Sequence, residues 1–346
     1  MGAIHFICLA ISNFCAKHSS NTYYLWSVKI LKVIFICLTI TTLGCIRREG
    51  LLSAEQLDLG VDTWINDVEF YSPTEGIAVG GDRLEAGYVF KTSDGGETWN
   101  HQRLEHDRTL GAVKYFNDSL IRIGGEWIHL YNSTDLGETW EFQWLDTQQP
   151  SAEEHRPIVW DFEVQNDSSY WFVGGENLDE GVIYYTWDRG QNFQFSTWEF
   201  QFNDITIQDS IKLVAGHGAL MRAGSSNEFT IIKTDDHFTG VHMWDDGSAV
   251  VVTNQGAIHA SGDYGISWDQ VVPKASLKRS FTDLTAESEL VCACGLNGLI
   301  SVSRDGGANW NHNTIEGRPN LLSLGLNDGI IYATASSGRV FRLPVP

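Results

Sequence analysis

The sequence predicts an all-β fold, a seven-bladed β-propeller built from four-stranded antiparallel blades. Three observations predict it: a short turn motif recurs, an apolar strand pair precedes each copy, and another strand follows each copy. Repetition at about 40 residues is typical of propellers, in which neighbouring sheets bury each other's faces. No linker interrupts the repeat, so residues 55–346 are predicted to form one domain.

The turn motif reads Ser or Thr, any residue, Asp, any residue, Gly, two residues, and then Trp or Phe. Glycine supplies a backbone angle that other residues resist, and Asp and hydroxyl side chains can bond the turn's own amides. The aromatic residue starts the outer strand and can cover the turn. The motif is therefore predicted to make the fold, through Asp94, Gly96, Trp99, Asp135, Gly137, Trp140, Asp188, Gly190, Phe193, Asp263, Gly265, Trp268, Asp305, Gly307 and Trp310.

The last blade lacks an outer strand of its own. Seven candidate inner strands can be counted, from "WINDVEF" (64–70) to "NLLSLGL" (320–326), but the chain ends before a seventh turn motif. Residues 55–61, "EQLDLGV", could supply the missing strand. The ring would then close by pairing the two ends of the chain, which leaves no open sheet edge.

One position of the aligned inner strands is rich in aspartate and is predicted to lie at the central channel. An acidic ring could bind a cation or a basic group, or each Asp could bond the backbone of a neighbouring loop. Repetition favours the second, structural interpretation. The candidate ring is Asp67, Asp161, Asp204, His242 and Asp283, with His242 expected to be an ordinary polar residue. No cofactor and no metal site is predicted.

The face opposite the turn motifs collects basic and aromatic side chains. Long loops can simply carry charges, and the alternative is a binding face for an acidic or carboxylate-bearing protein or glycan. Aromatic side chains of this kind could stack on a sugar or a peptide. The candidate binding residues are Arg83, Arg108, Arg156, Trp160, His217, Trp244, Lys278, Arg279 and Arg318.

The first 45 residues are predicted to be an export signal. "VKILKVIFICLTITTLGC" (28–45) has two lysines, a short apolar run and small residues before Cys45. The end of this stretch resembles a lipoprotein cleavage box, so Cys45 is a candidate lipidation site, with a simple cleaved signal as the alternative. Translation starting near Val28 would make the preceding residues an artefact. Residues 46–54 are expected to be a short tether.

The charge of the chain narrows the class of partner. Residues 1–45 contain three lysines and no acid, so the remainder is more acidic than the net charge of −21 for the whole sequence. Such a body repels nucleic acid and anionic membrane surfaces, so no nucleic-acid partner is expected. We expect a monomer in the bacterial cell envelope, facing the periplasm or the outer surface, or a secreted protein.

The turn motifs resemble the Asp-box, or bacterial neuraminidase repeat. Units such as "NDVEF…GIAVGG…GYVFKTSDGGETW" are also similar to propellers of the photosystem II stability and assembly factor type. The second resemblance implies a non-catalytic scaffold that binds protein, as sortilin-type propellers bind peptides. The alternative is a glycoside hydrolase, sialidase-like or other, that uses channel carboxylates. The sialidase "RIP"-like stretch does not precede "WINDVEF".

Overall fold

The computed structural model describes residues 50–106, 108–117, 119–145, 157–274 and 276–346. They form six sheets of four strands and one of five, arranged in a ring. The predicted all-β, seven-bladed propeller is confirmed. Within these ranges, no helix has the length and apolar character needed to span a membrane.

Two short strands precede the ring of blades, β1 (Gly50–Leu52) and β2 (Glu55–Asp58). Blade I holds β3 (Ile65–Phe70), β4 (Gly76–Asp82), β5 (Ala86–Thr92) and β6 (Asn100–Arg103). Blade II holds β7 (Leu110–Tyr115), β8 (Ile121–Gly125), β9 (His129–Ser133) and β10 (Glu141–Trp144). Blade III holds β11 (Ile158–Asn166), β12 (Ser169–Glu176), β13 (Glu180–Thr186) and β14 (Gln194–Trp198).

The second half of the ring repeats this order. Blade IV holds β15 (Phe202–Gln208), β16 (Ile211–Gly216), β17 (Ala219–Ala223) and β18 (Thr230–Lys233). Blade V holds β19 (Phe238–Met243), β20 (Ala249–Thr253), β21 (Ile258–Ser261) and β22 (Asp269–Val272). Blade VI holds β23 (Phe281–Glu287), β24 (Leu290–Gly295), a 3-10 turn (Leu296–Gly298), β25 (Leu299–Ser303) and β26 (Asn311–Ile315). Blade VII holds β27 (Leu321–Asn327), β28 (Ile330–Ala335) and β29 (Arg339–Pro344).

The hydrophobic core lies between blades. The second strand of each blade is covered on both faces, so β20 reads "AVVVT" and is buried at every position. Side chains of blade V, such as Val250, pack against Phe281 and Val291 of blade VI. Tyr332 and Val340 of blade VII pack in the same way against blade I. Each blade therefore depends on its neighbours to bury its apolar faces.

The ring closes through β2, as the sequence predicts. This strand pairs antiparallel with β29, with Glu55 opposite Arg342 and Asp58 opposite Arg339. The N-terminal strand therefore supplies the outer strand of blade VII and covers an edge that would otherwise stay open.

Residues 50–52, inside the segment predicted to be a tether, form β1. It lies parallel to β26 as a fifth strand of blade VI, with Gly50 opposite Asn313 and Leu52 opposite Ile315. The main-chain N–H of Glu316 donates to the carbonyl of Leu52 at 2.9 Å. Part of the predicted tether is therefore attached to the propeller.

The turn motifs form hydrogen-bonded loops between the third and fourth strands of five blades. In blade I, Asp94 accepts from Thr92 Oγ1 at 2.8 Å and from the main-chain N–H of Thr98 at 2.9 Å. The N–H of Gly96 donates to Thr92 Oγ1 at 2.8 Å. These bonds, led by the one from the Thr98 side chain, lower the pKa of Asp94 to about 2. The Asp of each motif stabilises its own turn.

Candidate binding face and central channel

The first strand of each blade faces a central channel of about 1180 Å³. Four aspartates of the predicted ring line the channel. Each of them accepts a hydrogen bond from the backbone of the next blade. Asp67 Oδ2 accepts from the main-chain N–H of Val113 at 2.9 Å. Equivalent bonds join Asp161 to Ile205 at 2.9 Å, Asp204 to Val241 at 2.6 Å and Asp283 to Leu324 at 2.8 Å.

His242 is not the fifth member of this ring, so the predicted alignment of blade V was wrong. A bulge at Thr239 separates the paired positions Phe238 and Gly240, and an equivalent bulge precedes Asp283 in blade VI. The position equivalent to Asp283 is therefore Gly240. His242 lies two residues further along β19 and still lines the channel. Burial lowers the pKa of His242 to about 4, and Lys114 acts in the same direction.

A second ring of side chains lies two residues further along the inner strands and contains Lys114. Lys114 Nζ lies 3.5 Å from Glu69 Oε1 and 3.9 Å from Glu163 Oε2, which belong to the blades on either side. Of the described residues that line the channel, Lys114 is the one lysine or arginine. The charge of Glu69 is the main reason why the pKa of Lys114 lies above its ordinary value.

Burial is also the main influence on the channel acids. It raises the pKa of Glu163 to about 7 and that of Asp283 to about 7. Burial and the neighbouring Asp204 carboxyl place the pKa of Asp161 well above its ordinary value. The channel therefore holds protons at pH values at which exposed carboxylates have lost them.

We expect Asp283→Asn to reduce the dependence of stability on pH. Because the pKa of Asp283 is about 7 in the folded chain against 3.8 ordinarily, the folded state retains a proton that the unfolded state releases. Stability therefore falls as pH rises from about 4 to about 7, and the Asn variant should lose this contribution, on the order of 3 kcal/mol. Urea unfolding at pH 5, 6, 7 and 8 measures it.

The exposed residue Asp246 provides the control for this experiment. Its pKa is lowered by a hydrogen bond from the Ser248 side chain, so Asp246→Asn should leave the slope between pH 5 and 8 unchanged. Parallel curves for Asp283→Asn and the parent chain would show that Asp283 carries no buried proton.

The loop face is less basic than the sequence predicts, because carboxylates neutralise part of it. Arg83 Nε lies 3.2 Å from Glu126 Oε1, and its Nη2 lies 2.7 Å from Glu176 Oε1. Lys274 Nζ lies 3.2 Å from Asp236 Oδ2. Arg83 therefore links three successive blades, which is a structural role.

Three of the predicted basic residues lie beside blade VI. Lys278 and Arg279 lie in the loop that enters it, and Arg318 lies in the loop that leaves it. Lys278 and Arg318 are exposed, and Arg279 Nη1 donates to Thr314 Oγ1 at 2.8 Å. Burial lowers the pKa of Arg279, and the Arg318 charge lowers it further. We call Lys278, Arg279 and Arg318 the basic patch.

Two clusters of aromatic rings lie on the loop face at a distance from the basic patch. The Arg108 guanidinium lies 3.8 Å from the ring centroid of Trp127, which stacks on Trp144 at 6.1 Å. His217 stacks on His237 with centroids 3.7 Å apart. Arg108 and His217 are thus engaged with neighbouring rings in the structure.

Two predicted binding residues lie elsewhere, and one lies outside the described residues. Trp160 occupies the bulge of β11 and lines the channel. The placement of Trp244 on the loop face was wrong, because β19 ends at Met243 and runs toward the face that carries the turn motifs. There Trp244 Nε1 donates to the carbonyl of Ser288 at 2.6 Å. Arg156 and Cys45 are not among the described residues.

Sequence reasoning missed two groups of residues. The first is the second ring, although the period of two in a strand places Glu69, Lys114 and Glu163 on the same face as the aspartates. The second is a set of side-chain donors, each four residues after a motif Asp, that bond the second oxygen of its carboxylate. These donors are Thr98, Thr139, Asn192, Ser267 and Asn309. In the described chain, no group of three or more His, Cys, Asp and Glu residues has metal-site geometry.

Comparison with known proteins agrees with the resemblance that the repeats suggest. The family described as "Photosynthesis system II assembly factor YCF48" matches residues 49–157. The Photosystem II assembly lipoprotein Ycf48 of Synechococcus sp. (strain CC9902) is 26% identical over 270 residues, which cover 70% of this chain and 73% of that protein. The chain is an Asp-box propeller that is similar to photosystem II assembly factors.

Solved structures of this propeller type share the fold. The structure titled "YCF48 bound to D1 peptide" has a TM-score of 0.67 and 20% identity, and the match covers 86% of this chain and 98% of that one. YCF48 from Cyanidioschyzon merolae has a TM-score of 0.64 and 17% identity, covering 85% and 99%. At this identity, the likeness shows the architecture alone.

Proposed function

We propose that this chain is an exported, non-catalytic scaffold that binds a protein partner during assembly of a larger complex. The similarity along 70% of the chain to a protein named as a photosystem II assembly lipoprotein carries this proposal. The basic patch is the proposed docking site, and a lipid on Cys45 would hold the protein at a membrane of the cell envelope. The partner in this protein's own cell is a protein with an acidic or carboxylate-bearing segment.

Charge distribution supports the basic patch as the docking site. The chain carries a net charge of −21, and Arg83 and Lys274 on the same face are paired with carboxylates. In the basic patch, Lys278 and Arg318 are exposed. A local positive surface on an acidic protein steers an acidic partner to one place.

The channel carboxylates are poorly suited to the alternative, glycoside hydrolysis. Retaining and inverting enzymes need one carboxylic acid and one carboxylate free to act on the substrate. Asp67, Asp161, Asp204 and Asp283 each accept a main-chain N–H from the next blade. These bonds hold neighbouring blades together, and an aspartate that reacted with a substrate would have to break its bond.

Reversing the charge of the basic patch tests the proposal. We expect Arg279→Glu with Arg318→Glu to weaken partner binding at least tenfold, because close like charges replace a complementary pair. The measurement is quantitative recovery of partner proteins from a membrane extract of the native cell, using the parent chain and the variant as baits. Circular dichroism and urea unfolding confirm that the fold is intact.

The matched control reverses two charges on the opposite face, with Lys91→Glu and Arg304→Glu. Partners of the basic patch should be retained by this control and by the parent chain. Equal recovery by all three proteins would place the docking site elsewhere. Turnover of a glycoside by the parent chain that Asp161→Asn abolishes would contradict a non-catalytic role.

A further inference from the structure

We propose that the loop face carries an apolar docking surface next to the basic patch. Together they bind one amphipathic segment of the partner, with its apolar side chains on blades I to III and its acidic side chains on the basic patch. This inference deepens the proposed function and rests on it for the basic patch. The apolar arc, as we call the new surface, consists of Trp64, Leu84, Trp127 and Leu178.

Backbone conformation at the hairpin tips is the first observation. The hairpins between the second and third strands end on the loop face, and each tip contains a left-handed residue. In blades IV to VII glycine fills such a position, as Gly218, Gly256, Gly298 and Gly338. In blades I to III large apolar residues fill it instead, namely Leu84 (φ 63°), Trp127 (φ 64°) and Leu178 (φ 72°). Bulky side chains resist this conformation, and backbone strain of this kind is concentrated at functional sites.

Exposure of the same side chains shows that the propeller itself does not compensate for the strain. Leu84 is 43% exposed and Leu178 is 51% exposed, and Trp64, in the loop that enters blade I, is 50% exposed. Trp127 is partly buried, with the Arg108 guanidinium 3.8 Å from its ring centroid. The exposed apolar area would stabilise a complex only when a partner covers it.

The three tips are held together, so the apolar arc is an ordered surface. Arg83 Nε lies 3.2 Å from Glu126 Oε1 in the tip of blade II, and Arg83 Nη2 lies 2.7 Å from Glu176 Oε1 beside the tip of blade III. Both glutamates are buried. The main-chain N–H of Leu84 also donates to Glu126 Oε2 at 3.3 Å. A surface that is fixed before binding loses little conformational entropy when a partner docks.

The apolar arc continues the basic patch around the ring. Arg318 lies in the loop that enters blade VII, and Trp64 lies in the loop that enters the next blade, blade I. Leu84, Trp127 and Leu178 follow in blades I, II and III. A single extended segment can therefore contact both surfaces.

Charge decides which end of the segment lies where. Glu85 follows Leu84 and Asp179 follows Leu178, and both carboxylates are exposed. Acidic side chains of a partner are repelled at these tips and attracted by Lys278 and Arg318. The occupant is therefore a protein segment with apolar residues at one end and acidic residues at the other.

Selection from a displayed library of random short peptides tests this chemistry. The baits are the parent chain, Leu84→Gly with Leu178→Gly, and Arg279→Glu with Arg318→Glu. We expect the parent chain to enrich peptides that combine apolar and acidic residues. The glycine variant should enrich acidic peptides without the apolar residues, and the charge-reversed variant should enrich apolar peptides without the acidic residues.

Affinity and stability of the glycine variant give a second readout. Its affinity for a labelled peptide selected by the parent chain, measured by fluorescence anisotropy, should be at least tenfold weaker, because two apolar contacts are removed. Its urea midpoint should equal or exceed that of the parent chain, because glycine adopts the left-handed conformation without strain. A side chain needed only for folding would show the opposite pattern.

The matched control alters apolar residues on the turn-motif face, with Leu136→Gly and Ile266→Ser. Leu136 is 37% exposed and also has a left-handed backbone, at φ 57°, and Ile266 is 67% exposed. This control should bind the selected peptide as tightly as the parent chain does.

Two results would overturn the apolar arc and leave the proposed function standing. One is enrichment by the parent chain of acidic peptides without apolar residues. The other is a glycine variant that binds the selected peptide with the parent's affinity, or that unfolds at a lower urea concentration. Enrichment of no peptide by the parent chain would contradict both the apolar arc and the basic patch as docking surfaces.

Discussion

Deletion of residues 50–58 is expected to open the ring and to destabilise the protein by more than about 4 kcal/mol. The deletion removes β2, so β29 loses its outer partner along the register from Glu55–Arg342 to Asp58–Arg339. It also exposes the contact between blades VII and I, where Leu57 packs beside Tyr332 and Val340. Urea unfolding followed by tryptophan fluorescence measures the loss.

A shorter deletion separates ring closure from the loss of chain length. Deletion of residues 50–52 removes only β1, and β26 keeps its antiparallel partner β25. This control should unfold within about 1 kcal/mol of the parent chain. The longer deletion should also form dimers or aggregates in size-exclusion chromatography, because an uncovered strand edge pairs with other chains.

Addition of a synthetic peptide of residues 53–61 makes the test specific. The peptide should restore part of the lost stability in the longer deletion and have no effect on the parent chain, whose edge is already covered. If the longer deletion unfolds at the same urea concentration as the parent chain, β2 does not hold the ring together.

Repetition explains why the architecture could be predicted from the sequence. Each turn motif places Gly and Asp where a turn needs them, and five copies leave little freedom in the register of the third and fourth strands. The sequence contains one outer strand too few for seven blades, and a ring with an unpaired strand edge is unfavourable. Residues 55–61 could therefore be predicted to close the ring. These features depend on local chemistry that one blade shares with the next.

The channel was harder to predict, because its register depends on bulges. A bulge at Thr239 shifts β19 so that Gly240 occupies the position that Asp283 has in blade VI. A Cβ atom on Gly240 would lie 2.9 Å from the main-chain nitrogen of Leu284, so close packing explains the glycine. A bulge leaves no clear mark in a short strand, and an alignment without it places His242 at this position.

The binding face was predicted only in part, because sequence shows where charges are but not which of them are paired. Arg83 and Arg318 look alike in sequence, as single arginines in loops of the same face. Both arginines are exposed, but the structure places Arg83 between Glu126 and Glu176, from the two following blades. Ion pairs between residues more than 40 positions apart depend on the assembled ring.

Replacing Lys114 with methionine is expected to make stability strongly dependent on pH. The ammonium group lies between Glu69 and Glu163, and without it these half-buried carboxylates would face each other uncompensated. Removing one partner of a fully buried ion pair typically costs about 3–5 kcal/mol. Because these side chains are half-buried, we expect a smaller loss at pH 8, on the order of 2 kcal/mol, measured by urea unfolding.

Protonation of the two glutamates should reverse most of that loss. The pKa of Glu163 is already about 7, raised mainly by burial, and removal of Lys114 takes away the largest influence that lowers it. The folded variant would then retain protons that the unfolded chain releases above about pH 4.5. Its stability should therefore fall as pH rises from 5 to 8, more steeply than that of the parent chain.

A second lysine–glutamate pair, outside the channel, shows whether the pH dependence of stability requires the channel environment. Lys91 pairs with Glu138, whose side chain is 74% exposed, so Lys91→Met should change stability by less than about 1 kcal/mol at every pH. Lys114→Met curves that run parallel to those of Lys91→Met would mean that water or other groups already solvate the channel acids. A steeper decline would show that the Lys114 ammonium group lets the channel hold Glu69 and Glu163 as carboxylates at neutral pH.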